Sequence, residues 1–168
     1  MVSKNVLMLG NPKLRDKSKN VEEFDDNFQE RLQDLKDTLI RLQEVKKLGR
    51  ALAAPQIGYQ ERFITYNFPN KAFTMVNPVI KETSKEMIRI WDSCYCFDVA
   101  FFIEIERFER IVVEYQDEQG TSITEEYLGD MSVLVQHEID HLEGILATDH
   151  IKDPHKIMMR SEWEKIYH

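Results

Sequence analysis

The segment DMSVLVQHEIDHLEG, residues 130 to 144, constrains the fold of this chain more than any other part of the sequence. Read as a helix, it carries apolar side chains on nearly every face, and such a helix lies inside a protein. Asp130 is placed to cap its first turn, and Gly144 is placed to end it. The sequence therefore predicts a central buried helix against which the other elements pack.

Three ionisable residues interrupt this apolar helix in the pattern H-E-x-x-H, namely His137, Glu138 and His141. Residues four apart share one face of a helix, so both imidazoles can reach one metal ion with the Glu138 carboxylate beside the open position. The alternative is a pair of core histidines whose hydrogen-bond partners are Glu138 and Asp140. Burying these groups without a metal is costly unless all of them are paired, so the metal site is favoured.

The rest of the chain predicts an α+β fold with an N-terminal amphipathic helix. Residues 24 to 45 place apolar side chains at alternating steps of four and three, with Asp25 or Asp26 as the N-cap. Segment 48 to 59 contains glycine and proline and predicts a loop or bend. Aromatic and β-branched residues predict strands in four runs, and DEQG predicts a hairpin turn before TSITEEYL. The four runs cover residues 62 to 68, 74 to 80, 85 to 97 and 101 to 116.

A short C-terminal helix is predicted after Pro154, with Ile157, Trp163 and Ile166 facing inward. We expect residues 1 to 168 to form one domain, in which antiparallel β-sheets surround the central helix. The N-terminal residues have too short an apolar run for a signal sequence or a membrane span, so we expect a cytoplasmic protein. A formal charge of -8 argues against DNA or other broad nucleic-acid binding.

A catalytic metal site needs a third protein ligand, and the sequence offers three candidates. The metzincin pattern requires a histidine where this chain has Ala147. A zinc peptidase of the thermolysin type takes a later glutamate, and Glu162 lies near the required spacing. The remaining candidate is a cysteine in WDSCYCFD, residues 91 to 98, which holds the two cysteines of the chain, Cys94 and Cys96.

Three segments together resemble the peptide deformylase family. GRALAAPQ (49 to 56) is similar to the pattern G-x-G-x-A-A-P-Q, and DSCYC (92 to 96) is similar to E-G-C-L-S. QHEIDHLEG (136 to 144) matches Q-H-E-x-D-H-L-x-G without a difference. The resemblance implies antiparallel sheets around a central helix, with one divalent metal ion held by Cys94, His137 and His141. The expected ion is Fe²⁺, which Zn²⁺, Ni²⁺ or Co²⁺ can replace.

The activity implied by the resemblance is removal of the formyl group from the N-terminal methionine of new polypeptides. The implied partners are N-formylated nascent peptides, with the ribosome as a further candidate. Glu138 would take a proton from a metal-activated water and pass it to the leaving amine. The Gln56 amide and the backbone N–H of Tyr95 would stabilise the oxyanion. The residues expected to bind the substrate are Gly49, Arg50, Ala51, Asp92, Ser93 and His137.

The chain departs from the family pattern in the two motifs expected to line the substrate cleft. Arg50 replaces an aliphatic residue and Ala51 a glycine, while Asp92-Ser93 and Tyr95-Cys96 replace Glu-Gly and Leu-Ser. Arg50 either narrows the methionine pocket or points its charge to solvent. The resulting hypothesis is a divergent deformylase with a weaker preference for formyl-methionine. The alternatives are a zinc peptidase that uses Glu162, and a non-catalytic paralogue that binds acylated peptides or the ribosome.

In a regular strand, Cys94 and Cys96 would lie on the same face and could both be ligands. The resemblance instead requires a bend, which turns Cys94 to the metal and a backbone N–H of Tyr95 to the substrate. We therefore expect Cys94 alone to bind the metal and Cys96 to be a small buried residue without metal contact. Gln136 and Asp140 are expected to support the helix and its ligands.

Overall fold

The computed structural model describes residues 3 to 167, and within them the fold is α+β, as predicted. The three α-helices are α1 (Asp26–Lys46), α2 (Gly129–Leu142) and α3 (Arg160–Tyr167). The first four strands are β1 (Ala51–Ala53), β2 (Phe63–Phe68), β3 (Lys71–Thr83) and β4 (Met87–Asp92). The other four are β5 (Phe101–Phe108), β6 (Arg110–Gln116), β7 (Ser122–Leu128) and β8 (Ile157–Met159).

The strands form two antiparallel sheets. One has five strands in the order β1-β2-β3-β6-β7, and the other has three in the order β4-β5-β8. The predicted hairpin turn joins β6 to β7, and the Asp117 carboxylate accepts hydrogen bonds from the backbone N–H groups of Gln119 and Thr121. These bonds hold the turn because they satisfy two N–H groups that no strand can reach.

Helix α2 is buried, as predicted. Its residues Val135, Ile139 and Leu142 pack in one apolar cluster with the inner face of the five-stranded sheet. It also contacts β5 of the three-stranded sheet, so both sheets flank the helix. The H-E-x-x-H side chains therefore lie in the interior, where water is largely excluded.

Helix α1 begins where the sequence predicts. The Asp25 carboxylate accepts a hydrogen bond from the backbone N–H of Phe28 at 2.8 Å, as an N-cap does. The predicted apolar stripe packs against Leu52, Phe63 and Val76, and each of its large side chains contributes about 1.5–3 kcal/mol by leaving water. Its fully buried members are Phe28, Leu32, Leu35 and Leu39.

Three of the predicted segments have different boundaries in the structure. Segment 48 to 59 is more than a loop, because it contains β1 and a 3₁₀ turn at Ala54–Ile57. The strand predicted over 85 to 97 ends at Asp92, and a 3₁₀ turn follows at Tyr95–Phe97. The run 101 to 116 is two strands, because the chain passes at Glu109 from the three-stranded to the five-stranded sheet. The pattern of apolar residues continues past Glu109, so the sequence pattern did not show that the chain passes from one sheet to the other there.

The predicted N-cap of α2 is wrong, whereas the glycine predicted to end the helix is confirmed. Leu128 is the N-cap residue and has no side-chain bond, while the Asp130 carboxylate pairs with Arg50. Gly144 follows the helix with φ of +73°, and a Cβ there would lie 2.4 Å from the carbonyl oxygen of Arg15. Glycine is therefore required at this position.

The C-terminal helix is present, but two of its three predicted inward residues are not buried. Ile157 lies on β8 and is 46% exposed, and Ile166 is 62% exposed. Trp163 alone packs inward, with its ring stacked on Phe102 at a centroid distance of 4.3 Å. Between residues 3 and 167, no helix has both the length and the apolar character needed to cross a bilayer.

Candidate active site

A cavity of about 270 Å³ opens beside α2, between the segment around β1 and the segment that follows β4. It brings together residues that are up to 90 positions apart, from Leu48 to Glu138. All the site residues predicted from the sequence line it, with the exception of His141. These lining residues are Gly49, Arg50, Ala51, Gln56, Asp92, Ser93, Cys94, Tyr95, His137 and Glu138.

The two histidines of the motif lie side by side, as residues one helical turn apart must. The ring centroids of His137 and His141 are 5.1 Å apart in an edge-to-face arrangement. His141 reaches the site through its Nε2 atom, which lies 3.3 Å from the Sγ atom of Cys94. Both histidines and Glu138 are buried.

The WDSCYCFD segment makes the bend that the resemblance requires. Strand β4 ends at Asp92, and Cys94 is extended, with φ of -141° and ψ of 148°, before the 3₁₀ turn Tyr95–Phe97. Next to this turn, the Cys94 sulfur faces His141. Cys96 lies within the turn, and its backbone N–H donates to the Cys94 Sγ at 3.4 Å. The two cysteines are free thiols, and both are buried.

The donor atoms gathered here fit a divalent metal ion. One ligand atom each from Cys94, Cys96 and His141 lie within 4.8 Å of one another. Sulfur and imidazole donors suit Fe²⁺ and Zn²⁺. Among residues 3 to 167, the Nδ1 atom of His141 and the Oε2 atom of Glu138 are buried without a hydrogen-bond partner, so this part of the chain does not pair all the polar atoms of the site.

Cys96 belongs to this group of donor atoms, although the sequence, after considering both cysteines as ligands on a regular strand, led us to expect Cys94 alone. His137 was predicted as a ligand, and its Nδ1 atom is 2.8 Å from the Asp92 carboxylate. That contact leaves Nε2 as the ring nitrogen available for a metal, and a carboxylate on the other nitrogen is the usual support of a metal-bound histidine.

A buried charge network that the sequence analysis missed lies behind the histidines. Arg107, on β5, is 3% exposed; its guanidinium pairs with Asp140 and lies 3.7 Å from Asp92. His150 approaches Asp140 with its Nε2 atom at 2.7 Å. The sequence signal for this network was strand β5, in which every second residue faces inward. These residues are Ile103, Ile105 and Arg107. An arginine at such a position needs buried carboxylates as partners.

This network sets the charge of the site. Burial would lower the pKa of His137, but the charge and hydrogen bond of Asp92 outweigh it and raise that pKa to about 9. Burial raises the pKa of Glu138 to about 7 against the opposing charge of His137. Burial, with the charge of His137, lowers the pKa of His141 to about 3. His141 is therefore neutral at pH 7 and can offer a lone pair, and Glu138 can both accept and release a proton.

Gln56 is fixed with its donor end toward the site. Its Oε1 atom accepts the backbone N–H of Ala53 at 2.7 Å, which leaves the NH₂ group pointing the other way. The Nε2 atom lies 3.5 Å from the sulfur atoms of both Cys94 and Cys96. A donor that is already oriented and buried is suited to stabilising a developing negative charge.

The outer edge of the cleft is held by Tyr95 and Arg50. The Tyr95 hydroxyl donates to the carbonyl oxygen of Leu48, and a Cβ at Gly49, where φ is +90°, would lie 2.0 Å from that hydroxyl. Burial, with the charge of Glu138, raises the pKa of Tyr95, so its hydroxyl keeps its proton. Gly49 is therefore required beside Tyr95.

Arg50 forms a two-bond ion pair with Asp130, in which Nη2 lies 2.9 Å from Oδ1. The two side chains are 41% and 69% exposed, so the ion pair lies at the mouth of the cleft, where Arg50 is also one of the lining residues. Ser93 points away from the metal group, because its hydroxyl donates to the carbonyl oxygen of Phe101 at 2.7 Å.

Glu162, the third ligand in the peptidase alternative, is on α3. Its side chain is 59% exposed and pairs with Lys165 at 2.7 Å. Within residues 3 to 167, the group of close metal-ligating side chains contains no residue of α3. The geometry therefore does not favour the peptidase alternative.

Comparison with known proteins agrees with this geometry. The family model described as polypeptide deformylase matches residues 3–157. The chain belongs to the polypeptide deformylase family. A peptide deformylase from Thermotoga sp. (strain RQ2) is 34% identical over 157 residues, which cover 94% of this chain and 92% of the relative. As a member of the deformylase family, the chain is a hydrolase.

Solved deformylase structures share the fold. The crystal structure of peptide deformylase from Thermotoga maritima is 33% identical, with a TM-score of 0.83, and the match covers 91% of this chain and all of that one, 100%. A class I type b peptide deformylase from Acinetobacter baumannii, bound to Met-Ala-Ser, is 27% identical with a TM-score of 0.78. That match covers 89% of this chain and 99% of the other. The deformylase fold therefore accounts for nearly all of the chain.

Proposed function

We propose that this protein removes the formyl group from the N-terminal methionine of new polypeptides, with Glu138 as general base and then general acid. The observation that carries the proposal is a buried Glu138 that lines the cavity beside Cys94 and His137. Its pKa of about 7 allows the carboxylate to accept a proton and later to donate it near neutral pH.

The proposed metal ligands are Cys94, His137 and His141. Cys94 and His141 are in contact, and the contact between His137 and Asp92 orients the His137 ring. When bound, the divalent ion would polarise the formyl carbonyl and acidify a water molecule. We expect Fe²⁺, with Zn²⁺, Ni²⁺ or Co²⁺ as substitutes. Cys96 is left out of the set because it stands where the deformylase pattern has serine, whereas Cys94 stands at the cysteine of that pattern.

The steps assigned to the chain itself are proton transfer and charge stabilisation. Glu138 takes the proton of the attacking water and returns it to the amine nitrogen as the C–N bond breaks. The oxyanion is stabilised by the Gln56 amide and the backbone N–H of Tyr95. Tyr95 opens a 3₁₀ turn, and the first N–H groups of a helical turn have no partner within it.

The peptide is proposed to bind along the cleft edge formed by Gly49, Arg50 and Ala51, opposite Asp92 and Ser93. The methionine side chain would enter the apolar part of the cavity, which includes Ile90, Val133 and Leu134. The Acinetobacter baumannii relative supports this class of ligand, because it was crystallised with a peptide that begins with methionine. One catalytic domain over residues 1 to 168, a cytoplasmic location and contact with the ribosome stay predictions.

The test is formate release from formyl-Met-Ala-Ser by protein purified without oxygen and analysed for metal. For Glu138→Gln we expect kcat to fall by about 10³-fold while the metal content stays the same, because the amide cannot carry the proton. Glu162→Gln is the matched control and should retain full activity, since Glu162 is exposed and paired with Lys165.

Two outcomes would favour the alternatives. A protein with a full metal site that binds the formyl peptide but releases no formate would be a non-catalytic paralogue. A Cys94→Ala variant that keeps its metal would contradict the proposed ligand set and revive the peptidase alternative. The deformylase proposal predicts that most of the metal is lost.

A further inference from the structure

A second thiol lies directly behind the proposed metal ligand. Cys96 is 1% exposed and does not line the cavity, whereas Cys94 does. One ligand atom each from Cys94, Cys96 and His141 lie within 4.8 Å of one another, so the two sulfurs are near neighbours. The backbone N–H of Cys96 also donates to the Cys94 sulfur at 3.4 Å. The mechanism proposed above gives Cys96 no role.

We propose that Cys96 is a resolving thiol for Cys94: when peroxide oxidises Cys94 from the cavity, Cys96 closes a disulfide with it and prevents irreversible oxidation. The two thiols differ in access, and this difference sets the order of events. A small oxidant in the cavity reaches Cys94 first, because Cys94 lines the cavity whereas Cys96 is buried away from it.

The proposed reaction has two balanced steps. The Cys94 thiolate attacks one oxygen of hydrogen peroxide, which gives a sulfenic acid and hydroxide. The Cys96 sulfur then attacks the Cys94 sulfur, the S–O bond breaks, and water leaves as the disulfide forms. The two thiols lose two electrons together, and one peroxide molecule is reduced to two molecules of water.

The local geometry suits this closure. A disulfide needs Cα atoms about 4.4–6.8 Å apart and sulfurs that can approach to about 2 Å. Cys94 precedes the turn and Cys96 lies within it, the backbone N–H of Phe97 donates to the Cys94 carbonyl at 3.3 Å, and the two sulfurs lie within 4.8 Å of each other. Gln56 contacts both sulfurs at 3.5 Å, which places them on the same side of the turn. Closure therefore requires rotation of two side chains rather than unfolding of the segment.

The consequence is a reversible loss of the metal. A Cys94 in a disulfide cannot be a thiolate ligand, so oxidation would release the ion, and a thiol reductant would restore the site. Without Cys96, the sulfenic acid would be oxidised further to sulfinic acid, which such reductants do not reverse.

The experiment treats the metal-loaded protein with hydrogen peroxide and follows intact mass and metal content. For the wild type we expect loss of two hydrogen atoms, release of the metal, and recovery of metal binding after dithiothreitol and fresh ion. For Cys96→Ser we expect a gain of two or three oxygen atoms, and at least about tenfold less recovery of metal binding. Cys96→Ala should behave in the same way.

A third variant tests the order of oxidation. In Cys94→Ser, Cys96 should stay reduced at peroxide concentrations that oxidise the wild type, because it has lost the neighbour that reacts first. The proposal is wrong if Cys96→Ser recovers its metal as fully as the wild type. It is also wrong if Cys96→Ser loses its metal before any peroxide is added, since Cys96 would then be a ligand. None of these measurements uses formate release, so they remain separate from the test of the deformylase activity.

Discussion

The floor and the rim of the cleft differ in how far their charged groups are buried from water. The floor, defined by Asp92, Arg107, His137, Glu138 and Asp140, contains mostly buried groups that pair with one another. The rim, defined by Gly49, Arg50, Tyr95 and Asp130, places its one ion pair where solvent reaches both partners. A change in the floor leaves a buried charge without a partner, whereas a change in the rim leaves a charge that water can solvate.

This difference agrees with two departures from the deformylase pattern, at Arg50 and Tyr95, while the departure in the floor, Asp92 in place of glutamate, keeps a carboxylate. The segment QHEIDHLEG matches the pattern without a difference, and its polar side chains belong to the floor or support it. Arg50 and Tyr95, which replace apolar residues, lie on the rim. Substitutions among the buried charges of the floor are therefore costly, because they leave a charge without a partner. Substitutions on the rim change the shape of the substrate site at a lower cost in stability.

The largest effect is expected for Arg107→Ala in the floor. Removal of the guanidinium leaves Asp92 and Asp140 buried without their shared cation, so the free energy of unfolding should fall by about 3–5 kcal/mol. Urea denaturation measures this change. Arg110→Ala is the matched control from the next strand, and its exposed pairs with Glu82 and Glu126 should matter far less. Equal losses of unfolding free energy in the two variants would show that burial does not determine how much these charges contribute to stability.

Gln56→Ala tests a residue between the floor and the rim, because Gln56 follows the rim segment and contacts the sulfurs of Cys94 and Cys96. We expect kcat for formyl-Met-Ala-Ser to fall by about 10²–10³-fold with little change in KM, since the donor acts on the oxyanion rather than on the ground state. Gln136→Ala is the comparison variant. In the part of the chain that the structure describes, the Gln136 amide bonds Phe108 and Ser132 rather than the cavity residues, so its loss should lower stability more than kcat.

The pH dependence of the metal-free protein tests the charge of the floor. Burial raises the pKa of Glu138 from 4.5 to about 7, so its contribution to stability is complete below about pH 4.5 and is lost as the pH rises through 7. At about pH 8, Glu138→Gln should therefore be more stable than the wild type by up to about 3 kcal/mol. At about pH 4 the two should be alike. Thermal unfolding in a chelator measures both, and an equal difference at both pH values would contradict the assigned pKa.

The smallest effect is expected on the rim. Arg50→Leu replaces a polar wall with an apolar one, so kcat/KM for formyl-Met-Ala-Ser should rise by about 3–10-fold. The free energy of unfolding should change little, because exposed ion pairs contribute little. Asp130→Asn breaks the same pair but leaves the Arg50 stem in place, and it separates the loss of the pair from the change in the wall. A fall in kcat/KM for Arg50→Leu would show that the guanidinium helps to bind the peptide.

Much of this arrangement could be predicted from local sequence. The apolar stripe of α1, its Asp25 cap, the hairpin after β6 and the buried H-E-x-x-H helix each follow from periodicity and short-range hydrogen bonding. The bend at Cys94 followed from the family resemblance rather than from periodicity. The wrong details have a common cause: Asp130 pairs with Arg50, and Ile166 remains exposed, because contacts with distant segments outweighed the local pattern.

Local sequence was enough to specify the buried helix and the spacing of His137, Glu138 and His141, the residues proposed as metal ligands and general base, because these depend on residues within about one turn of each other. The surroundings of these residues depend on the tertiary fold. It brought Arg107 to Asp140, Asp92 to His137 and Cys96 to Cys94, and it placed the ion pair of Arg50 at the exposed mouth of the cleft. Most of these pairs join segments far apart in the chain, and burial fixes both the partner and the protonation state of each group.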